Sequence, residues 1–240
     1  MKKFNWNNIR LVLIAALMVF LYSFSNIKNQ GRNIKKINIA FEADDYPFLN
    51  ETMVNNLLIQ NFKGASVVQK EKVNLKDMEF LLDSNRYIDN SEFFCSIDGV
   101  LSGKIKQKKP IIRVVNKKDS YYLDNKGAKI PLSENFTPRV PVYYGIIKEE
   151  EIQNLVRVFT YIENDEMLKQ NIIDVKKTQK QNIIFSVRDY DYKVIFGTES
   201  NVESKFNNYK AFLQQATKDT LIKHYKSVNL IFTQQVICVK

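Results

Sequence analysis

Catalysis needs convergent groups, and the residue types that supply them are sparse in this chain. His224 is the single histidine, and beside Tyr225 it reads as part of a helix end or loop. A histidine-dependent triad therefore has one possible base and no nucleophile motif around it. One histidine with two cysteines, Cys95 and Cys238, falls short of a zinc ligand set. Asp44-Asp45 and Glu149-Glu150-Glu151 are runs of neighbours. Such carboxylates face apart or cap a helix start rather than share one proton. Asp189 and Asp191 alternate as if in a strand, pointing to solvent. The seven glycines sit singly in turns, with no phosphate-cradling loop. The expectation is a protein with no catalytic residue, no cofactor, no metal and no small-molecule substrate.

Bulk composition narrows the class further. Hydrophobic residues make up 45% of the chain and aromatics 12%, too many for general disorder. The net charge is +10, yet the lysines are scattered along the whole length. The densest group, Lys104, Lys106, Lys108 and Lys109, has strand spacing and no interleaved aromatics, so nucleic acid is not the expected partner. Cys95 and Cys238 each lie among apolar neighbours. An oxidising compartment would permit a bridge. Each also reads as a small buried hydrophobe, the reading favoured by their wide separation.

The elements that must carry any function follow from periodicity. Residues 9–24, IRLVLIAALMVFLYSF, are the longest apolar run, roughly 24 Å as a helix and slightly short of a hydrocarbon core of about 30 Å. Trp6 and Tyr22 suit its two interfaces, and Phe4 and Ile27 could extend it. A cleaved signal peptide is the competing reading, with Ser23-Phe24-Ser25 as the cut site. A retained anchor is favoured because apolar residues continue up to that site. The basic residues on the two sides balance, so orientation rests on the short N-terminal tail, which favours a cytoplasmic N-terminus. Residues 34–41 alternate as a half-buried strand. A helix opens at Asn50 and runs through Phe62 to Gly64, and a second covers residues 74–84 with Asn74 as N-cap. Asp98-Gly99 then predicts a type I′ hairpin between residues 91–97 and 100–106.

A second half begins near Tyr121 and passes through a proline-punctuated connection. Residues 149–163 form a helix whose three leading glutamates suit its positive end. Strands follow at 172–177, 182–188 and 192–196, then a helix over 202–216. A final strand is expected over 228–239, containing Phe232-Thr233-Gln234-Gln235-Val236. A terminal strand often lies at a sheet edge, where unpaired N–H and C=O groups invite a partner strand.

Several motifs together resemble the FtsQ/DivIB family of bacterial cell-division proteins. They are Gly99-Val100-Leu101 to Ile105-Lys106-Gln107, Pro110-Ile111-Ile112-Arg113-Val114, Tyr122-Leu123-Asp124, Gly127, Ile130-Pro131-Leu132-Ser133, Pro138-Arg139-Val140-Pro141-Val142 and Gly145. Ile195-Phe196-Gly197, Lys205-Phe206, Tyr225, Asn229-Leu230-Ile231-Phe232 and Gln235-Val236-Ile237-Cys238 continue the likeness, in the style of Bacteroidetes members. The resemblance implies an α+β fold: a cytoplasmic tail (1–8), a transmembrane helix (9–25), a linker (26–33), a POTRA domain of β-α-α-β-β order (34–115) and a mixed β domain (116–240) ending in an edge strand. It further implies a non-catalytic scaffold in the inner membrane at the septum, its bulk periplasmic, binding FtsB- and FtsL-like proteins that regulate septal peptidoglycan synthesis. The partner-binding residues implied are Phe232, Thr233, Gln234, Gln235, Val236 and Leu230 of the last strand, with Lys205 and Phe206 on the preceding helix. Many members read Asp-Leu-Arg where this chain has Asn229-Leu230-Ile231, so backbone pairing and Phe232 must carry more here. Two rival classes stand beside this reading. One is an extracytoplasmic envelope enzyme, which needs a pocket around Asp189, Asp191 or Glu199. The other is a POTRA-type secretion or assembly chaperone.

Overall fold

The computed structural model describes residues 6–30, 33–42, 46–61, 73–218 and 221–240. Phe4, Asp44-Asp45 and the Phe62–Gly64 helix end lie outside them. The apolar run forms helix α1, Trp6–Gln30. Its stretch Ile9–Ile27 is long and apolar enough to cross a membrane, with a mean hydropathy of 1.8 and none of it buried within the chain. The expected linker at 26–33 needs correction, because the helix continues to Gln30. No glycine or proline interrupts it before Gly31.

The chain divides into two compact units, Met1–Asp44 with Leu49–Gln107, and Asp45–Phe48 with Lys108–Lys240. In the first, strand β1 (Lys36–Phe41), helices α2 (Glu51–Asn61) and α3 (Leu75–Asp83), and strands β2 (Ile88–Cys95) and β3 (Val100–Gln107) follow in β-α-α-β-β order. Asn50 and Asn74 cap the two helices, their side-chain oxygens accepting from the N–H groups of Met53 and Lys76. β3 is central, parallel to β1 and antiparallel to β2. Val54, Leu58, Met78 and Leu82 from the helices close over Ile39, Phe93, Leu101 and Ile105 from the sheet. Gly103 faces this core, and the absence of a side chain there admits the Phe93 ring. A Cβ would stand 2.5 Å from Phe93 Cε1 and 3.1 Å from Ile39 Cδ1.

The β2–β3 turn differs from the expected type I′. Gly99 has φ +84°, while Asp98 does not have positive φ. The Gly99 N–H donates to Ser96 O, and the Ser96 N–H to Val100 O. This is a three-residue loop ending in a glycine bulge, so only one position requires left-handed backbone.

The second unit contains strands β4 (Pro110–Val115), β5 (Ser120–Asp124), β6 (Lys129–Pro131) and β7 (Val142–Tyr144), then helices α4 (Glu149–Glu163) and α5 (Glu166–Asn171). Strands β8 (Ile172–Lys177), β9 (Ile183–Val187) and β10 (Lys193–Gly197), helix α6 (Val202–Lys218), and strands β11 (Ser227–Asn229) and β12 (Ile237–Val239) complete it. Its nine strands run β12-β11-β10-β9-β8-β7-β4-β5-β6. β4 pairs with β5 and β7, which corrects the expected boundary at residue 115. The first unit ends at Gln107, since the hydrogen bonds of residues 110–115 are spent in the second sheet.

The register explains which face the helices cover. Val114, Tyr143, Val175, Phe185, Val194, Val228 and Cys238 stand opposite one another across seven strands. All but Cys238 are buried, with α4, α5 and α6 contributing Leu155, Phe159, Leu168 and Phe206 to the same core. One residue along each strand, Val115, Tyr144, Lys176, Ile184, Ile195, Asn229 and Ile237 form the matching row on the other face. None of that second row is fully buried.

Gly103→Val should force the Phe93 ring from its place and destabilise the first unit by about 1–3 kcal/mol. Urea unfolding followed by a probe in each unit should show the loss in the first.

Candidate functional site: the C-terminal sheet margin

The expected single strand over 228–239 is in fact an antiparallel pair. β11 lies parallel to β10, with Val194 opposite Val228, and antiparallel to β12, with Val228 opposite Cys238. The β10–β11 ladder is prolonged by the Leu230 N–H donating to Ile195 O at 2.8 Å. Immediately afterwards the Ile231 N–H donates to Asn229 Oδ1 at 2.9 Å. A side-chain oxygen taking the backbone N–H two residues on makes an Asx turn, which ends the extended conformation. Phe232, Thr233, Gln234 and Gln235 therefore occupy the bend between β11 and β12, and Val236 the approach to β12. Among the described residues β11 is paired on both sides and β12 only with β11, so the margin of the sheet is Ile237–Val239.

The predicted site residues separate into two groups. Phe232, Gln234 and Gln235 are exposed, with Thr233 and Val236 half-buried. Leu230 and Phe206 are fully buried at 0%, and Lys205 at 2%, so these three side chains lie beneath the surface. Phe206 stacks on Tyr161 at 5.3 Å and lies 4.8 Å from the Phe196 ring. Lys205 donates from Nζ to Thr198 O at 2.8 Å and stands 4.7 Å over the Phe196 ring. Burial pushes its pKa below that of an ordinary lysine, although Glu199 works the other way.

Three residues outside the predicted contact set, Ile231, Ile237 and Val239, join Phe232 at this surface. Ile231, Phe232, Ile237 and Val239 are 40%, 49%, 39% and 51% exposed, an apolar cluster on the bend and the last strand. Asn208 on α6 donates from Nδ2 to Thr233 O at 2.8 Å and holds the bend to the helix. Alternation around Cys238 could have revealed Ile237 and Val239. Nothing in the sequence marks Asn208.

A buried hydrogen-bond chain seats α6. Tyr209 donates to Asn171 Oδ1 at 2.6 Å, leaving its oxygen to accept from Tyr192 at 3.0 Å. Burial raises both phenols, Tyr192 to about 12. At the other end of α6, Lys177 Nζ on β8 lies 3.0 Å from both Glu151 of α4 and Glu199 after β10. Burial opposes the Lys177 charge, but its bonds to the two carboxylates prevail and raise its pKa, while the same ammonium holds Glu151 below the usual carboxylate range.

Asp189 and Asp191, expected in a strand, lie exposed in the turn between β9 and β10, where Asp189 has φ +46°. A groove of about 450 Å³ lies close by, lined by Met167, Asn171, Tyr190, Leu213, Gln214, Thr217 and Lys218. Its lining contains no carboxylate. His224 is exposed at the end of a short 3-10 turn, and both cysteines are free. Among the described residues no three His, Cys, Asp or Glu side chains are grouped to hold a metal.

Comparison with known proteins identifies the class. The profile of the family described as FtsQ/DivIB, C-terminal related, matches residues 109–239, more than half of the chain. The chain belongs to this family, a non-enzymatic family of cell-division proteins. Among solved structures it is similar to the major extracytoplasmic domain of the cell-division protein DivIB, trans isomer, from Geobacillus stearothermophilus. That similarity has 17% identity and a TM-score of 0.35, over 48% of this chain and 98% of the other. No curated protein matches the chain.

Because folded tyrosines with raised pKa keep protons that unfolded ones release, stability should fall as pH rises from 10 towards 12, the value for Tyr192. Tyr192→Phe should flatten that decline in urea midpoints measured across the interval. Tyr209→Phe should cost about 1–3 kcal/mol at neutral pH, because it leaves Asn171 Oδ1 without its buried donor.

Proposed function

We propose that this protein is a membrane-anchored scaffold of the division machinery, with α1 in the inner membrane and both folded units in the periplasm at the septum. On this reading the sheet margin captures an extended segment of an FtsB-like partner, which arrives with an FtsL-like protein. The assembly links early and late division proteins and regulates septal peptidoglycan synthesis without chemistry of its own. The first unit serves as a POTRA-type recruitment module, a reading supported by its β-α-α-β-β order.

The observation that carries the proposal is β12. It ends the strand order, and it exposes Ile237 and Val239 beside Ile231 and Phe232. Backbone groups along such a margin supply pairing energy without dictating sequence, while the apolar side chains supply the pockets that select a partner. Lys205, Phe206 and Leu230 act behind the surface, setting the position of the bend.

Phe232→Glu combined with Val239→Glu should weaken binding of the FtsB-like segment about tenfold or more, since two apolar contacts worth over 1.4 kcal/mol together are replaced by charge. Titration calorimetry with that segment reads the change, and circular dichroism should show an intact fold because both side chains are exposed. Ile59→Glu on α2 serves as the control and should bind like the parent chain. Equal affinity of the double variant and the parent would remove this surface from the interface.

A further inference from the structure

The topology of the first unit places one end of its sheet at the exit of α1. β1 begins six residues after Gln30, and β3 runs parallel to β1, so the β2–β3 turn lies at the end of the sheet where the chain arrives from α1. The contact is direct. The Lys35 N–H donates to Gly99 O at 2.8 Å, Lys36 stands opposite Val100, and a Cβ on Gly99 would come within 2.5 Å of Asn33 O. At the tip of this turn Ile97 is 73% exposed. Lys35 and Lys36 are exposed beside the turn, and the sequence adds Lys28 and Arg32 just upstream.

Chain length limits how far this turn can stand from a bilayer. The apolar stretch of α1 ends at Ile27. Three helical residues and three more at full extension reach at most about 15 Å to Asn33. The headgroup layer itself occupies roughly 6 Å of that on each side. Asn33, with the turn packed on it, is therefore held within about 10 Å of the headgroups. An exposed isoleucine at a turn tip, a position polar residues usually fill, lies at the same end of the sheet as Lys35 and Lys36.

We propose that the tip of the β2–β3 hairpin is a lipid-contact site, in which Ile97 enters the headgroup boundary and Lys35 and Lys36 meet anionic phosphates. Asp98 opposes one of these charges, but Lys28, Arg32, Lys35 and Lys36 outnumber it. An apolar side chain combined with adjacent basic groups is the pairing that peripheral lipid attachment uses. The contact would hold this end of the first unit's sheet against the bilayer. The proposal rests on α1 crossing the membrane.

The test uses the full chain with both native cysteines replaced by alanine, in nanodiscs of phosphatidylcholine with and without phosphatidylglycerol. Single cysteines at three positions, Ile97→Cys, Asn90→Cys and Val19→Cys, carry an environment-sensitive nitrobenzoxadiazole label. At Ile97→Cys the emission should shift to the blue, lose most of its intensity to a headgroup-proximal doxyl lipid and resist aqueous iodide, more strongly with phosphatidylglycerol present. Asn90→Cys, at the far end of the hairpin, should be quenched by iodide alone. A label at Val19→Cys that escapes a lipid carrying its doxyl group deep in the acyl chain would show that α1 does not span, and would overturn the anchor and this proposal together. Quenching at Val19→Cys, with Ile97→Cys behaving like Asn90→Cys, would overturn the lipid contact alone. Protection of Ile97→Cys from both quenchers would assign the tip to a protein neighbour and overturn it as well.

Discussion

The seating of Phe206 among the rings of Phe196, Phe185 and Tyr161 is the interaction on which the sheet margin depends. β10 and β11 are parallel, and parallel neighbours cannot be joined by a tight turn. The chain must leave the end of β10, return along the sheet and re-enter beside it, and α6 makes that return. Without a fixed place for α6 there is no β11, and without β11 nothing pairs with β12. Lys205, Tyr209 and Asn208 refine the same seat. One reaches back to the turn after β10, one is bonded through Asn171 to the end of α5, and one holds the bend before β12.

The two rows across the second sheet show how one strand pattern serves two ends. The row through Val175, Phe185 and Val194 disappears beneath the helices and supplies cohesion. The row beside it, through Ile184, Ile195 and Ile237, stays partly open. The sheet thus reaches its C-terminal margin with an apolar character that a solvated face would lack. The margin itself is only three residues long on each of its last two strands. Short edge strands resist indiscriminate pairing, so a partner must add side-chain contacts to backbone ones. In the proposed function, Phe232 and Ile231 on the bend receive them.

Much of this architecture was legible in the chain. Asn50 and Asn74 announced their helices, since an asparagine before an apolar-periodic stretch supplies the acceptor that a helix start lacks. The three glutamates opening α4 did the same through charge. The β-α-α-β-β order of the first unit and the family likeness rest on motifs whose spacing is local. The sequence predicts one strand over 228–239 because Asn229-Leu230-Ile231-Phe232 is apolar enough to pass for strand, whereas the structure turns the chain there with the bond from the Ile231 N–H to Asn229 Oδ1. The family likeness implies Lys205 as a partner residue, and the structure buries its side chain. A lysine is assigned to the surface by default, and only the depth of α6 on the sheet shows that its ammonium is spent on Thr198 O.

The sequence by itself determined what short-range physics can encode: the apolar run of α1, the helix starts and the alternation of the strands. The tertiary structure alone decided which strand lies at the margin, which side chains face outward there, and that residues 110–115 join the second sheet rather than the first. Those outcomes depend on register and pairing between segments far apart in the chain, and on a competition for backbone partners that no local pattern records.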